Sequence, residues 1–142
     1  MIKSFKKSVK GAADIMTKEE FVKLVSGNIT LLDGATGTNL IARGMPRGIC
    51  PEEWTLEHPD VLTELQKGYA EAGSSIIYAP TFGANRERLK GYKKADDIER
   101  LNKENVALSK SAAKNALIAG DVSMTGMIIY PDDEDRKSTR LN

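Results

Sequence analysis

Asp33-Gly34-Ala35-Thr36-Gly37-Thr38 is the stretch best suited to chemistry. It follows a short apolar run, Ile29 to Leu32, so a carboxylate stands where a buried strand would end. Gly34, directly after it, lets a ligand approach the backbone closely. Amides of a glycine-rich turn can hold a carboxylate or phosphate. The pair therefore suits an amino acid, with Asp33 for the ammonium and the turn amides for the carboxylate. Two other readings stay open at this point. Asp33 can cap the next helix, or the Asp33–Thr38 turn can serve a phosphate- or nucleotide-binding α/β domain. It is not a P-loop, because no Gly-Lys-Ser/Thr follows.

Thr81 and Asn85, in Thr81-Phe82-Gly83-Ala84-Asn85, follow a second apolar run, Ile76 to Ala79. Both can hydrogen-bond a ligand or simply start the next short helix. Asp121 follows a third run, Ala116 to Ala119, after Gly120. Polar groups thus gather after each candidate strand, the edge at which α/β sheets and barrels bind ligands. His58, before Pro59, suits a helix-start contact better than a metal, and Asn102 and Asn105 suit bonds to a neighbouring loop.

The elements that position these residues alternate. Thr17-Lys18-Glu19-Glu20 has the form of a capping box, and Gly27 ends the helix it opens, with Phe21, Leu24 and Val25 on one face. Residues 34–51 are rich in turn signals, with a short helix over Thr38–Arg43. Asp60 can cap a helix with Val61, Leu62, Leu65, Tyr69 and Ala72 on one stripe, stopped by Gly73. A short helix over Asn85–Leu89 and a long one over Ala95–Lys114 follow. Helix, strand, helix, strand, helix, strand predicts βαβ units with parallel strands and right-handed crossovers.

Composition sets the class. The 142 residues are 40% apolar and 29% charged, as expected of a globular chain with one domain. The 21 basic and 20 acidic side chains are well mixed, so nothing points to nucleic acid or an anionic membrane as partner. No run approaches the ~20 apolar residues that span a bilayer. Cys50 is the single cysteine, so no internal disulfide can form, and a reducing, cytoplasmic setting is expected. Residues 1–16, with Lys3, Lys6, Lys7 and Lys10, read as a basic, disordered leader. Residues 135–142, DRKSTRLN, resemble the translation of a sequencing adapter and are expected to lie outside the fold. That leaves 17–134 as the folded part.

Three blocks taken together say more. LLDGATGTNL, HPDVLTELQKGYAEAGSSIIYAPTFGANRERL and LIAGDVSMTG resemble successive blocks of the homocysteine S-methyltransferase family, over residues 17–127. That family includes the homocysteine module of methionine synthase and the betaine and S-methylmethionine enzymes. The resemblance implies an eight-stranded TIM (βα)8 barrel, of which this chain supplies about three N-terminal βα units. It implies methyl transfer to a zinc-activated homocysteine thiolate, giving methionine, with cobalamin or folate handled by other modules in some members. The family's zinc ligands are cysteines on late strands. Cys50 matches none of them, so neither a metal ligand nor a catalytic residue is expected in this stretch. Asp33 matches the family's acidic residue that contacts the bound amino acid. Trp54, in the loop after the first strand, stands where relatives place an aromatic near the pocket mouth, and it serves equally well as a plain packing anchor. Gly83 occupies the place where the betaine enzymes carry a tyrosine for their donor, which argues against betaine. Asp33, Gly34, Thr81, Asn85, Asp121 and Trp54 are therefore the expected substrate-binding residues. A partial barrel has uncovered sheet edges, so the chain alone is expected to be inactive and to self-associate.

Overall fold

In the computed structural model, which describes residues 16–27 and 29–125, the chain alternates between helices and short parallel strands. The basic leader up to residue 15 and the 135–142 tail lie outside the described residues.

Helix α1 (Lys18–Ser26) starts as its sequence predicts. Thr17 Oγ1 accepts from the Glu20 amide at 3.2 Å, and the Glu20 carboxylate accepts from the Thr17 amide at 3.0 Å. Phe21, Val22 and Val25 stay exposed, and among the described residues none of this helix is buried. Helix α2 (Thr36–Ala42) matches the short helix expected in the turn-rich stretch. Helix α3 (Pro51–Glu57) corrects the reading of that region as loop. Pro51 supplies the fixed φ that suits a first helical position, and Glu52 and Glu53 complement the helix dipole.

Helix α4 (Pro59–Glu71) starts from His58 rather than from an Asp60 cap; Asp60 lies inside the first turn. His58 turns the chain from α3 into α4, with Nδ1 3.0 Å from the Trp54 carbonyl and its ring stacked on the indole. Gly73 ends the segment at φ +107°, a left-handed conformation that glycine takes without strain. Strand β1 (Ile76–Tyr78) follows, then α5 (Arg86–Lys90), a 3₁₀ turn (Ala95–Asp97), α6 (Ile98–Ala112) and β2 (Leu117–Ala119).

β1 and β2 pair in parallel, Ile77 opposite Ile118. The strand expected over Ile29–Leu32 is reduced to a single parallel bridge from Leu32 to Ile76. Its hydrogen bonds still set the register: Ser75 donates to the Leu31 carbonyl at 2.8 Å, and the Asp33 amide donates to the Ile76 carbonyl at 3.0 Å. Among the described residues the segment pairs only towards β1, and Leu31 and Leu32 stay half exposed. The spatial order is thus residues 31–33, then β1, then β2, all running one way. This is an α/β fold with a parallel sheet.

The helices pack through two apolar clusters. Leu40, Met45, Trp54 and Leu65 form one, and Cys50, Leu89 and Leu101 the other. Burying each large apolar side chain contributes ~1.5–3 kcal/mol. Buried amides then fix the alignment of the layers. Asn105 donates to the Glu52 carbonyl at 2.8 Å and accepts from Thr55 Oγ1 at 2.6 Å, tying α6 to α3. Gln66 Nε2 donates to the Tyr78 carbonyl at 3.1 Å, tying α4 to the end of β1. Among the described residues no helix is long and apolar enough to cross a membrane.

Candidate functional site

The carboxyl ends of the three parallel segments meet the first turn of α3 around a cavity of about 310 Å³. Asp33, Gly34, Glu52, Gly83 and Asp121 line it, with Arg88 as the cation among the lining residues. That volume lies at the small end of the ~300–1,000 Å³ range of ligand pockets.

Asp33 stands where the bridged segment leaves the sheet. Its Oδ2 accepts from the Tyr78 amide at 3.2 Å, across the end of β1. Helix α2 takes Ala35 as its N-cap and makes no side-chain cap bond, so Asp33 is not a helix cap. Burial raises the Asp33 pKa above the ordinary carboxylate value, and the nearby Asp121 charge adds to this. The Tyr78 amide and the backbone amide of Asp33 itself act in the opposite direction. A carboxylate that is part-desolvated beside a second acid gains most from an incoming cation.

Gly34 is held by close approach to a side chain. A Cβ there would lie 2.8 Å from the Tyr69 hydroxyl, which itself donates to the Ala35 carbonyl at 3.1 Å. Asn39 donates to the same carbonyl and to the Tyr69 oxygen, at 2.7 and 3.2 Å. The turn at Gly34 and Ala35 is therefore tied, through the Ala35 carbonyl, to Asn39 of α2 and Tyr69 of α4.

Thr81 and Asn85 lie beside the cavity and perform structural tasks. Thr81 Oγ1 donates to the Asp121 carbonyl and accepts from the Asp121 amide, both at 2.9 Å, fastening the loop after β2 to the loop after β1. Asn85 caps α5 by accepting from the Arg88 amide at 3.0 Å and reaches Ser123 Oγ at 3.3 Å. Trp54 stands apart. It lies on α3 rather than in a loop, 6% exposed in the core against Leu40, Met45 and Leu65. The expected site residues thus divide: Asp33, Gly34 and Asp121 line the cavity, Thr81 and Asn85 hold its walls, and Trp54 packs behind it.

Glu52 was not anticipated. Its carboxylate is 3% exposed and lines the cavity, accepting from the Gly83 amide at 2.6 Å and from Cys50 Sγ at 3.4 Å. In sequence it is one of two adjacent glutamates in a first helical turn, an ordinary solvated pattern. The Glu53 carboxylate does turn outward, 2.6 Å from Lys94 Nζ. Successive helical residues point about 100° apart, which separates the two, but only the packing of α3 says which is inside.

The donor set for a metal is poor. Burial, with the Glu52 charge and hydrogen bond adding, pushes the Cys50 thiol up to about 11, which disfavours a thiolate. Among the described residues no group of three or more His, Cys, Asp and Glu could hold a metal ion. These residues do not fit the zinc that the family resemblance implies.

Comparison with known proteins agrees in direction. The family model described as homocysteine S-methyltransferase matches residues 30–141. The chain is 29% identical to the S-methylmethionine–homocysteine S-methyltransferase of Pongo abelii, over 80% of this chain and 31% of that protein. It is 32% identical to the methionine synthase of Mycobacterium tuberculosis, over 66% of this chain and 8% of that protein. The solved structure of the homocysteine methyltransferase of Escherichia coli in its metallated form superposes with a TM-score of 0.57 at 23% identity, over 71% of this chain and 40% of that one. The chain therefore spans a third or less of these two relatives' length.

Proposed function

The chain belongs to the homocysteine S-methyltransferase family, and from that premise we propose that the described residues bind the amino-acid end of homocysteine. The whole protein would then transfer a methyl group to the homocysteine sulfur, giving methionine, on a TIM barrel of which these βα units are the first part. In this reading Asp33 receives the substrate ammonium, Asp121 strengthens the negative field, and the turn amides of residues 34–38 receive the carboxylate. Thr81 and Asn85 keep the two loops in place. Trp54 shapes the site only from behind, through the core.

The observation that carries this reading is the position of Asp33. It is a half-buried carboxylate at the cavity, fixed by the Tyr78 amide and raised in pKa by burial and by Asp121. The same electrostatics weigh against a phosphate or nucleotide in the Asp33–Thr38 turn, since Asp33, Glu52 and Asp121 all line the cavity. Because the residues described do not fit zinc, their part is confined to binding and orienting the amino acid. The chain alone is thus a non-catalytic binding unit in our reading. The methyl donor, and with it any need for cobalamin or folate, is left open by these residues. The single buried cysteine accords with a reducing cytoplasmic setting.

The test compares ligands on the chain itself. Ligand-observed NMR at low protein concentration should detect millimolar homocysteine binding and competition by methionine. Binding of ATP or inorganic phosphate in place of homocysteine would refute the proposal.

A further inference from the structure

Gly83, in the loop after β1, is glycine for a reason that lies in helix α3. Its φ is not among the positive values found at Gly44, Gly48 and Gly73, so the backbone does not demand glycine there. Space does. A Cβ at position 83 would lie 2.5 Å from Glu52 Oε1 and 3.3 Å from both Cδ and Oε2 of the same carboxylate. Glu52 cannot swing aside cheaply, because it is 3% exposed and both of its oxygens are engaged. Its backbone carbonyl is held as well, accepting from Asn105 Nδ2 at 2.8 Å.

We propose that Glu52 is a positioning residue for the site, fixing the cavity wall formed by the loop after β1 through its bond to the Gly83 amide. A carboxylate at 52 and a side chain at 83 are then alternative occupants of one space. The pair determines how far the cavity reaches towards Phe82 and Arg88. The bond ties α3 to a loop that Asn102 Nδ2 of α6 also holds, at the Ala84 carbonyl at 2.8 Å, with Thr81 on Asp121 and Asn85 on Arg88 and Ser123 to either side. Without it a buried amide loses its acceptor, and the cavity wall at Gly83 loses its tie to α3. This inference rests on the substrate-site reading above for its ligand, and on geometry alone for the coupling of 52 to 83.

The experiment is a mutant cycle on the full 142-residue chain, read by homocysteine affinity and by melting temperature. Glu52→Ala should weaken homocysteine about tenfold, whereas Glu52→Gln, which keeps an acceptor for Gly83, should stay within about threefold. Gly83→Ala should weaken binding and lower the melting temperature in the wild-type background, yet add nothing further in the Glu52→Ala background. Glu52→Met, which keeps most of the volume but offers no acceptor to Gly83, should weaken homocysteine as alanine does, and an affinity like that of glutamine would assign the effect to packed volume and overturn the positioning role. Equal affinities for wild type and Glu52→Ala, or additive effects at 52 and 83, would overturn the inference. A wild-type chain that binds no homocysteine at all overturns the substrate reading instead. The melting-temperature cycle still decides the coupling in that case, and additivity there refutes it.

Discussion

Asp33→Asn isolates the charge that the proposed site depends on. The substitution keeps the size of the side chain and an oxygen that can accept from the Tyr78 amide, now 3.2 Å from Oδ2. What it removes is the negative charge facing the substrate ammonium. A hydrogen bond to a charged partner is worth ~1.5–3 kcal/mol, so homocysteine affinity should fall by about one to two decades. The folded chain should not suffer. Burial raises the Asp33 pKa, meaning that the fold works against this charge rather than being held by it. Stability linked to such a group is greatest when it is protonated and falls as pH rises through the range above the ordinary carboxylate value. Asparagine abolishes that dependence, so the melting temperature should hold or rise slightly near neutral pH. Titration of homocysteine into both proteins, with a thermal melt of each, provides the assay. Equal dissociation constants would refute the argument and take Asp33 out of the site. A helix-cap role could not rescue it, because α2 is not capped by Asp33.

Three further outcomes follow from the packing. Gly34→Ala would push a Cβ to within 2.8 Å of the Tyr69 hydroxyl, and such overpacking should cost ~1–3 kcal/mol in urea denaturation; an unchanged midpoint would show that the turn yields freely. The Cys50 thiol is pushed up to about 11, above its unfolded value, so the unfolded state ionises first. Stability should therefore fall as pH rises from about 9 towards 11, and Cys50→Ala should lose that component of the fall. Finally, residues 31–33 and β2 each pair only towards β1 among the described residues, and Ile29, Val122 and Met124 are at least 84% exposed. Sedimentation should show concentration-dependent association and the melt should be broad; a clean monomer with a sharp two-state melt would contradict this.

The sequence carried the order of elements because each start and stop is a local chemical event. The Thr17–Glu20 box, the Gly73 stop and the Asn85 start need no tertiary information. Asp33 and Asp121 were legible as residues of one edge, where they line the cavity, because a parallel strand delivers its next residue to the sheet's carboxyl end. Three things were not legible. Helix α3 hides in a stretch of Gly and Pro, although Pro51 with two following acids marks its start. Trp54 reads equally as a pocket aromatic or a packing anchor while its segment is taken as loop; on α3 its register turns it into the core. Glu52 could not be chosen over Glu53 without the packing of α3 on α6, since what turns it inward is tertiary. The first strand reads strongly as a buried run, yet Leu31 and Leu32 remain half exposed because burial needs a covering partner as well as apolar residues.

The central claim, that this cavity receives the amino-acid end of homocysteine, is tested most directly by amide chemical-shift mapping of the isotope-labelled chain. Homocysteine should move the amides of Gly34, Gly37, Tyr78 and Gly83, which surround the cavity, and leave those of α1 and the outer turns of α6 unmoved. The carboxylate-free analogue homocysteamine should still move Tyr78, beside Asp33, but lose its effect on Gly34 and Gly37. Shifts confined to residues away from the cavity, or none at saturating homocysteine while ATP perturbs residues 34–38, would contradict the account.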